Sequence, residues 1–324
     1  MPLIYYRSTD YKNNHVHVNS NGIESLRCRK LDLYRSMITV GNPSFISQQQ
    51  IRTYGLARAI HSSILEKVGT VWENIESDRN GMRIHPIYHS HVSDKKRMVS
   101  YNLGMAFAKF YAEQLLDIPN LIHVESLKTL GAIDFADTDT GRGREPDLVG
   151  QCTNGDWHVF EAKGMSSNKL NPQLASAKEQ VERVSSIHGV APETLNACAT
   201  YFSDQRILTY LQDPESRNEK VIKVLRDKFI DSTYKPLFLL GEAMNKRLEL
   251  YREDGINFYA VDIEAKGVHL RVGIDEEVHD LVRQKEFSSL RSLSLEKLRR
   301  LSKEMSEESY SIGQDGVIVK YRNF

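Results

Sequence analysis

The stretch from Pro146 to Lys163 constrains the fold most. Two short runs, Pro146 to Cys152 and Asp156 to Lys163, flank Asn154-Gly155, a dipeptide that accepts the positive φ angles of a tight hairpin. Pro146 is tolerable as a first strand residue, where a missing donor costs least. The second run alternates through Asp156-Trp157-His158-Val159-Phe160 and closes on Glu161-Ala162-Lys163. Side chains on a strand alternate faces, so Glu161 and Lys163 project together, Phe160 and Ala162 point into the layer behind, and His158 faces away from Glu161. A strand beginning at Asp147 adds a second carboxylate. Two hard oxygen donors completed by water are what Mg²⁺ prefers, so the set reads as a site able to handle a phosphate.

An acid two residues before a lysine is weak evidence alone, since this composition produces about three by chance. Such pairs start at Asp10, Asp94, Glu161 and Glu264. Asp10 lies in a polar segment without an apolar run, and Asp94 sits in Ser93-Asp94-Lys95-Lys96, which reads as a helix start. Glu264 is the closest competitor, because residues 264 to 267 repeat the Glu-Ala-Lys-Gly string of residues 161 to 164. Its upstream acid, Asp254, lies in the turn-like Glu253-Asp254-Gly255 with no strand of its own, so a solvated strand end is the expectation there. The competing reading of Glu161 and Lys163 is a surface ion pair contributing at most about 1 kcal/mol.

The 43 basic and 43 acidic residues cancel, so no overall field draws nucleic acid, and any such binding must come from local patches. Lys95-Lys96-Arg97, Arg142 with Arg144, and Lys297 with Arg299 and Arg300 are the candidates. Cys28, Cys152 and Cys198 give neither a disulfide framework nor a zinc spacing, and Cys152 reads as a small buried residue. His85, His89 and His91 read as exposed loop histidines. With no signal-like amino terminus and no run of membrane-spanning length, the expectation is a soluble, cytoplasmic protein.

Residues 1 to about 48 read as polar and loop-rich, with short apolar patches around Ile4 to Tyr6 and Leu31 to Val40, and no role is assigned to them. Helical spacing follows from Gln48 to Ile75, then from Ser93, as cap, to Asp117, with Leu103, Ala106, Phe107, Phe110 and Gln114 on one face. A strand near Leu121 to Glu125, a loop to Glu145, the two hairpin strands, a helix after Pro172 carrying Leu174, Ala177, Val181 and Val184, and a strand from Leu195 to Phe202 complete the central part. Beyond 203, helices are expected near 219 to 230 and 237 to 250, strands at 256 to 263 and 267 to 272, charged helical segments over 275 to 303, and a last strand at 316 to 321.

Pro146-Asp147 and Glu161-Ala162-Lys163, within that order over roughly residues 93 to 202, resemble the PD-(D/E)XK nuclease superfamily. The resemblance implies an α/β (α+β mixed) fold: a restriction-endonuclease-like core of a central mixed β-sheet flanked by helices. The chain would divide into an N-terminal extension with a helical element (1–92), that core (93–202) and a C-terminal α/β addition (203–324). It implies metal ligation by Asp147, Glu161 and the carbonyl of Ala162, and a place for Lys163 near the attacking water. Glu113 is the acid placed to serve from the first core helix, with Asp117 and Glu125 as competitors, and Gln180 matches a glutamine found after the lysine in some members. The implied activity is Mg²⁺-dependent hydrolysis of DNA by an endonuclease, with Mn²⁺ as a substitute, in restriction, defence or repair; the choice between DNA and RNA is left open by the sequence. A homodimer or a partner subunit is also implied, with no membrane. The rival reading is a protein of the same fold that binds nucleic acid or another protein without cutting.

Overall fold

A computed structural model describes residues 2–12, 18, 22–41, 48–78, 81–137, 145–166, 170–217, 220–304 and 309–322. Arg142 and Arg144 lie outside the described residues. A seven-stranded mixed sheet, flanked by helices, forms the spine. Its spatial order is Glu24–Arg27, Leu3–Thr9, Ile207–Gln212, Thr194–Phe202, Trp157–Met165, Leu148–Gln151 and Asn120–His123. Trp157–Met165 and Thr194–Phe202 run parallel, with Glu161 opposite Ala197, and are joined through the helix Leu170–Val181. Leu3–Thr9 and Ile207–Gln212 form the other parallel pair; the remaining neighbours are antiparallel. Thr194–Phe202 is buried along almost its whole length, as a central strand covered on both faces must be.

The helix Ser93–Leu116 crosses the Trp157–Met165 strand where two glycines meet. A Cβ on Gly104 would lie 2.8 Å from the Gly164 nitrogen, and one on Gly164 would collide with the Ser100 carbonyl. Glycine at both positions is what lets helix and strand backbones touch. This helix starts at Ser93, with Val92 as the flanking cap residue, and ends at Asp117 in the left-handed conformation (φ 52). Its first turns, 93–98, are exposed or half-buried; from Val99 on it is buried nearly all round, except that Gln114, expected on the inner stripe, faces solvent and Glu113 is buried instead.

Several expectations for the flanking segments are corrected. The amino-terminal segment is not merely loop-rich: Leu3–Thr9 lies inside the central sheet, and Lys30–Thr39 is a mostly buried helix. The pattern from Gln48 breaks into Gln48–Tyr54 and Leu56–Asn74 at Gly55, whose φ of 80 interrupts the helix. Between the first sheet strand of the core and Glu145 lie a helix, Val124–Thr129, and a strand, Ile133–Asp137. Val184 opens a strand rather than closing a helix. Val184–Ile187 pairs with Lys220–Val224, in which Lys220, Ile222 and Val224 are buried and Val221 and Lys223 face outward, the period of a half-buried strand. One helix, Arg226–Ala243, replaces the two expected over 219 to 250 and carries Pro236 inside it.

The carboxyl-terminal part adds an antiparallel five-stranded sheet in the order Glu249–Glu253, Ile256–Ala265, Val268–Asp275, Val317–Tyr321 and Tyr310–Ile312. Its inner residues Val272, Ile274, Val317 and Val319 join one continuous core with Leu33, Phe107, Val159 and Leu211. The cuts at 92 and 202 therefore do not separate sheets, since Leu3–Thr9 and Ile207–Gln212 both pair into the central one.

Candidate metal centre

Hairpin register brings the predicted carboxylates together. Leu148 pairs with Phe160, which sets Asp147 opposite Glu161 at the end of the ladder. The Asp147 N–H donates to Glu161 Oε2 at 3.0 Å, and the Ala162 N–H donates to Asp147 Oδ2 at 3.0 Å. Each acid is thus fixed by the other strand's backbone. Lys163 Nζ donates to Glu161 Oε1. Glu161 is 1% exposed and Lys163 22%; Asp147 is also half-buried, so Asp147 and Lys163 are the members that reach solvent.

Burial is the main electrostatic fact of this pair. It pushes Glu161 up from 4.5 to about 8, with the Asp147 charge adding to the rise and Lys163 opposing it. Burial likewise raises Asp147 against the pull of Lys163. Two desolvated carboxylates beside one ammonium leave an excess negative charge when both are ionised, and a cation relieves it. The donor chemistry fits a hard divalent ion. Among the described residues no three His, Cys, Asp or Glu side chains are grouped to hold a metal, so backbone oxygen and water would supply the rest, the coordination Mg²⁺ favours.

Two further side chains approach this place without having been anticipated. His123 ends the Asn120–His123 strand opposite Leu148 and caps the next helix, its Nδ1 accepting the Glu125 N–H at 3.1 Å. Tyr101, from the long helix, lies with its hydroxyl 2.6 Å from His123 Nε2. Histidine is not among the usual cap residues, and Tyr101 sits in a helix whose burial all round hides any face, so neither carried a recognisable signal.

Glu113 is corrected: it stands away from the pair. Twelve residues beyond Tyr101, it is about 18 Å further along the helix axis. Its Oε2 accepts from Arg35 at 2.7 Å and its Oε1 from the Gln314 N–H at 2.9 Å, both in the interior. Asp117 accepts from Arg299 and Gln314 and is likewise engaged elsewhere. Glu125, half-buried and 3.6 Å from Lys128, is the competitor nearest the site, directly after the strand that flanks Asp147. The Gln180 amide donates to Ser176 O within its own helix.

The other acid-x-lysine pairs separate cleanly by context. Glu264 is 66% exposed, near His269, while Lys266 reaches Glu73; Lys266 and Gly267 form a turn with positive φ. Asp10 lies in a bend and accepts from Gln212, and Asp94 is in the first turn of the long helix beside Arg97. His158 is buried, its Nδ1 2.8 Å from Thr194 Oγ1. His85 and His89 are exposed, but the expected loop contains a helical turn, Ile87–Ser90, and His91 is held 2.9 Å from Asn74 Oδ1. Cys152 is half-buried rather than buried, and burial raises its thiol. The basic runs are largely engaged: Lys95 by Glu73, Arg97 by Asp94, Lys297 by Asp275, Arg299 by Asp117 and Arg300 by Glu304.

Comparison of the chain with protein-family models, with curated proteins and with solved structures finds no match. Among the described residues no helix is long and apolar enough to cross a membrane.

Proposed function

We propose that this protein is a metal-dependent nuclease of the PD-(D/E)XK type that hydrolyses phosphodiester bonds of DNA. The observation that carries the reading is the cross-strand clasp of the half-buried Asp147 and the buried Glu161, mutually repelling, with Lys163 beside them. The helix, three sheet strands, helix and sheet strand that surround it agree with that type.

Asp147, Glu161 and the Ala162 carbonyl would hold Mg²⁺ or Mn²⁺. Such an ion supplies charge neutralisation at the phosphate and a lowered pKa for bound water. The hairpin fixes both carboxylates in advance, so little reorganisation is needed on binding. Lys163, tethered by Glu161, holds an ammonium where it can orient the attacking water or stabilise charge developing on the phosphate oxygens.

The test is incubation of purified protein with circular and linear DNA, single- and double-stranded, and with RNA, in Mg²⁺, Mn²⁺ or EDTA. Metal-dependent cutting that disappears in Asp147→Ala is the expected result. Binding without cutting in every metal, unaltered by Asp147→Ala, would replace this reading with that of a non-catalytic binding protein.

A further inference from the structure

The central sheet carries Glu161 and Lys163 on one face and the long helix on the other. Ser93–Leu116 lies against Gly164 and, through Tyr111, against Tyr6, so it covers the face of Thr200 and Thr209, whose hydroxyls meet at 3.0 Å. Alternate residues point the opposite way, and the register lines them up with the proposed site. Lys163 stands beside Ala199, Ala199 beside Tyr210, and Tyr210 beside Arg7. In the next row Tyr201 stands beside Leu208 and Leu208 beside Tyr5. Arg27, paired with Leu3, shares this face, and Arg206 reaches it from the preceding turn, its guanidinium 5.4 Å from the centre of the Tyr5 ring. The helix Leu170–Val181 packs on Trp157–Met165 and Thr194–Phe202. Beyond it Tyr5, Tyr201 and Tyr210 are half-buried, and Arg7, Arg27 and Arg206 are exposed.

The charge of this face is one-sided. None of the residues that Glu24–Arg27, Leu3–Thr9 and Ile207–Gln212 place on it is acidic. Among the described residues Arg7, Arg27 and Arg206 have no ion pair, unlike the basic runs at 95–97 and 297–300. They come from three separate segments, so no run in the sequence marks them.

We propose that this face is a platform for single-stranded nucleic acid, on which the rings of Tyr5, Tyr201 and Tyr210 take unpaired bases and Arg7, Arg27 and Arg206 take phosphates. That the bound strand leads on to Asp147 and Glu161 rests on the nuclease reading. Aromatic rings interleaved with guanidinium groups match a chain that alternates base and phosphate, whereas a duplex keeps its base faces inside the stack. Arg7 is three strands away from Lys163, about 14 Å at the usual spacing, so one nucleic-acid strand can lie along both.

The experiment is fluorescence anisotropy of labelled oligothymidylate, oligouridylate and a DNA duplex in EDTA over a salt series, with wild type, Arg7→Ala, Tyr210→Leu and Tyr210→Phe, and thermal melts alongside. Wild type should prefer the single strands, and the two labelled strands tell DNA from RNA. Arg7→Ala should weaken binding and lower the slope of log affinity against log salt by about 0.7. Tyr210→Leu should weaken binding by about five- to a hundredfold, while Tyr210→Phe, which keeps a ring, binds as the wild type does. In MgCl₂ the same variants should slow cutting of a single strand below saturation by the same factors and leave the saturated rate unchanged. Equal affinity in wild type, Arg7→Ala and Tyr210→Leu, or a preference for duplex, overturns the platform and leaves the nuclease reading standing on metal-dependent cutting. Loss in Arg7→Ala alone overturns the stacking role of the tyrosines. A wild type that binds single strands through Arg7 and Tyr210 but never cuts supports the platform and removes the nuclease reading.

Discussion

Glu161 concentrates the conflict in the proposed site: a carboxylate held without water beside another carboxylate. Its pKa in the folded chain is raised from 4.5 to about 8, so folding favours its protonated form. The stability it contributes is fully present below the unfolded value and is lost as pH rises toward about 8. The metal-free wild type should therefore lose melting temperature relative to Glu161→Gln between about pH 5 and 8, and MgCl₂ should recover part of that loss only in the wild type. Melts with a constant gap between the two proteins across that range would contradict the assignment. Asp147, Glu161 and Lys163 were legible in the sequence because strand alternation and an Asn-Gly turn determine which residues meet. Glu113 was misread because a helix buried all round has no polar edge to mark its solvent face. Tyr101 and His123 were missed for a related reason: their pairing joins a helix to a strand end 22 residues away, and no local period encodes it.

At the scale of elements, the second glycine of the junction explains why one Glu-Ala-Lys-Gly string matters and the other does not. Gly164 lies under the Ser100 carbonyl, whereas a Cβ on Gly267 meets nothing within 4 Å and the residue serves a turn with φ 79. Gly164→Ala should destabilise the fold by about 3 kcal/mol, at the upper end of typical overpacking costs because the obstacle is backbone, as read by urea denaturation. A change below about 0.5 kcal/mol would mean that helix and strand are not in contact there. Elements with strong local grammar were readable: the hairpin, the long helix stopped before Pro119, and the Val317–Tyr321 strand. Leu3–Thr9 was not, because its partner Ile207–Gln212 is about 200 residues distant and the segment that follows it is polar. The Lys220–Val224 strand escaped because its short run adjoins a true helix at Arg226.

Across the whole molecule, a buried ionic cluster ties remote segments together. Arg35 of the amino-terminal helix lies 2.7 Å from Glu113 and 3.7 Å from Asp315, and Lys109 lies 3.5 Å from the same Asp315. Tyr234 donates to the Asp315 carbonyl at 2.8 Å and Arg35 to Ser311 at 3.0 Å. The last strands are thus fastened to the long helix at the end away from the carboxylate pair. Glu113→Gln leaves the buried Arg35 without its closest counter-charge and should cost about 3 kcal/mol, while the folded variant binds Mn²⁺ as the wild type does. Weakened Mn²⁺ binding in the folded variant would return Glu113 to the metal centre. The central claim is that Asp147 and Glu161 hold the ion and Lys163 serves the reaction. It is tested most directly by measuring Mn²⁺ affinity and single-turnover DNA cleavage together in wild type and Lys163→Ala. The account predicts affinity within about twofold and a cleavage rate lower by about a hundredfold or more; an unchanged cleavage rate would contradict it.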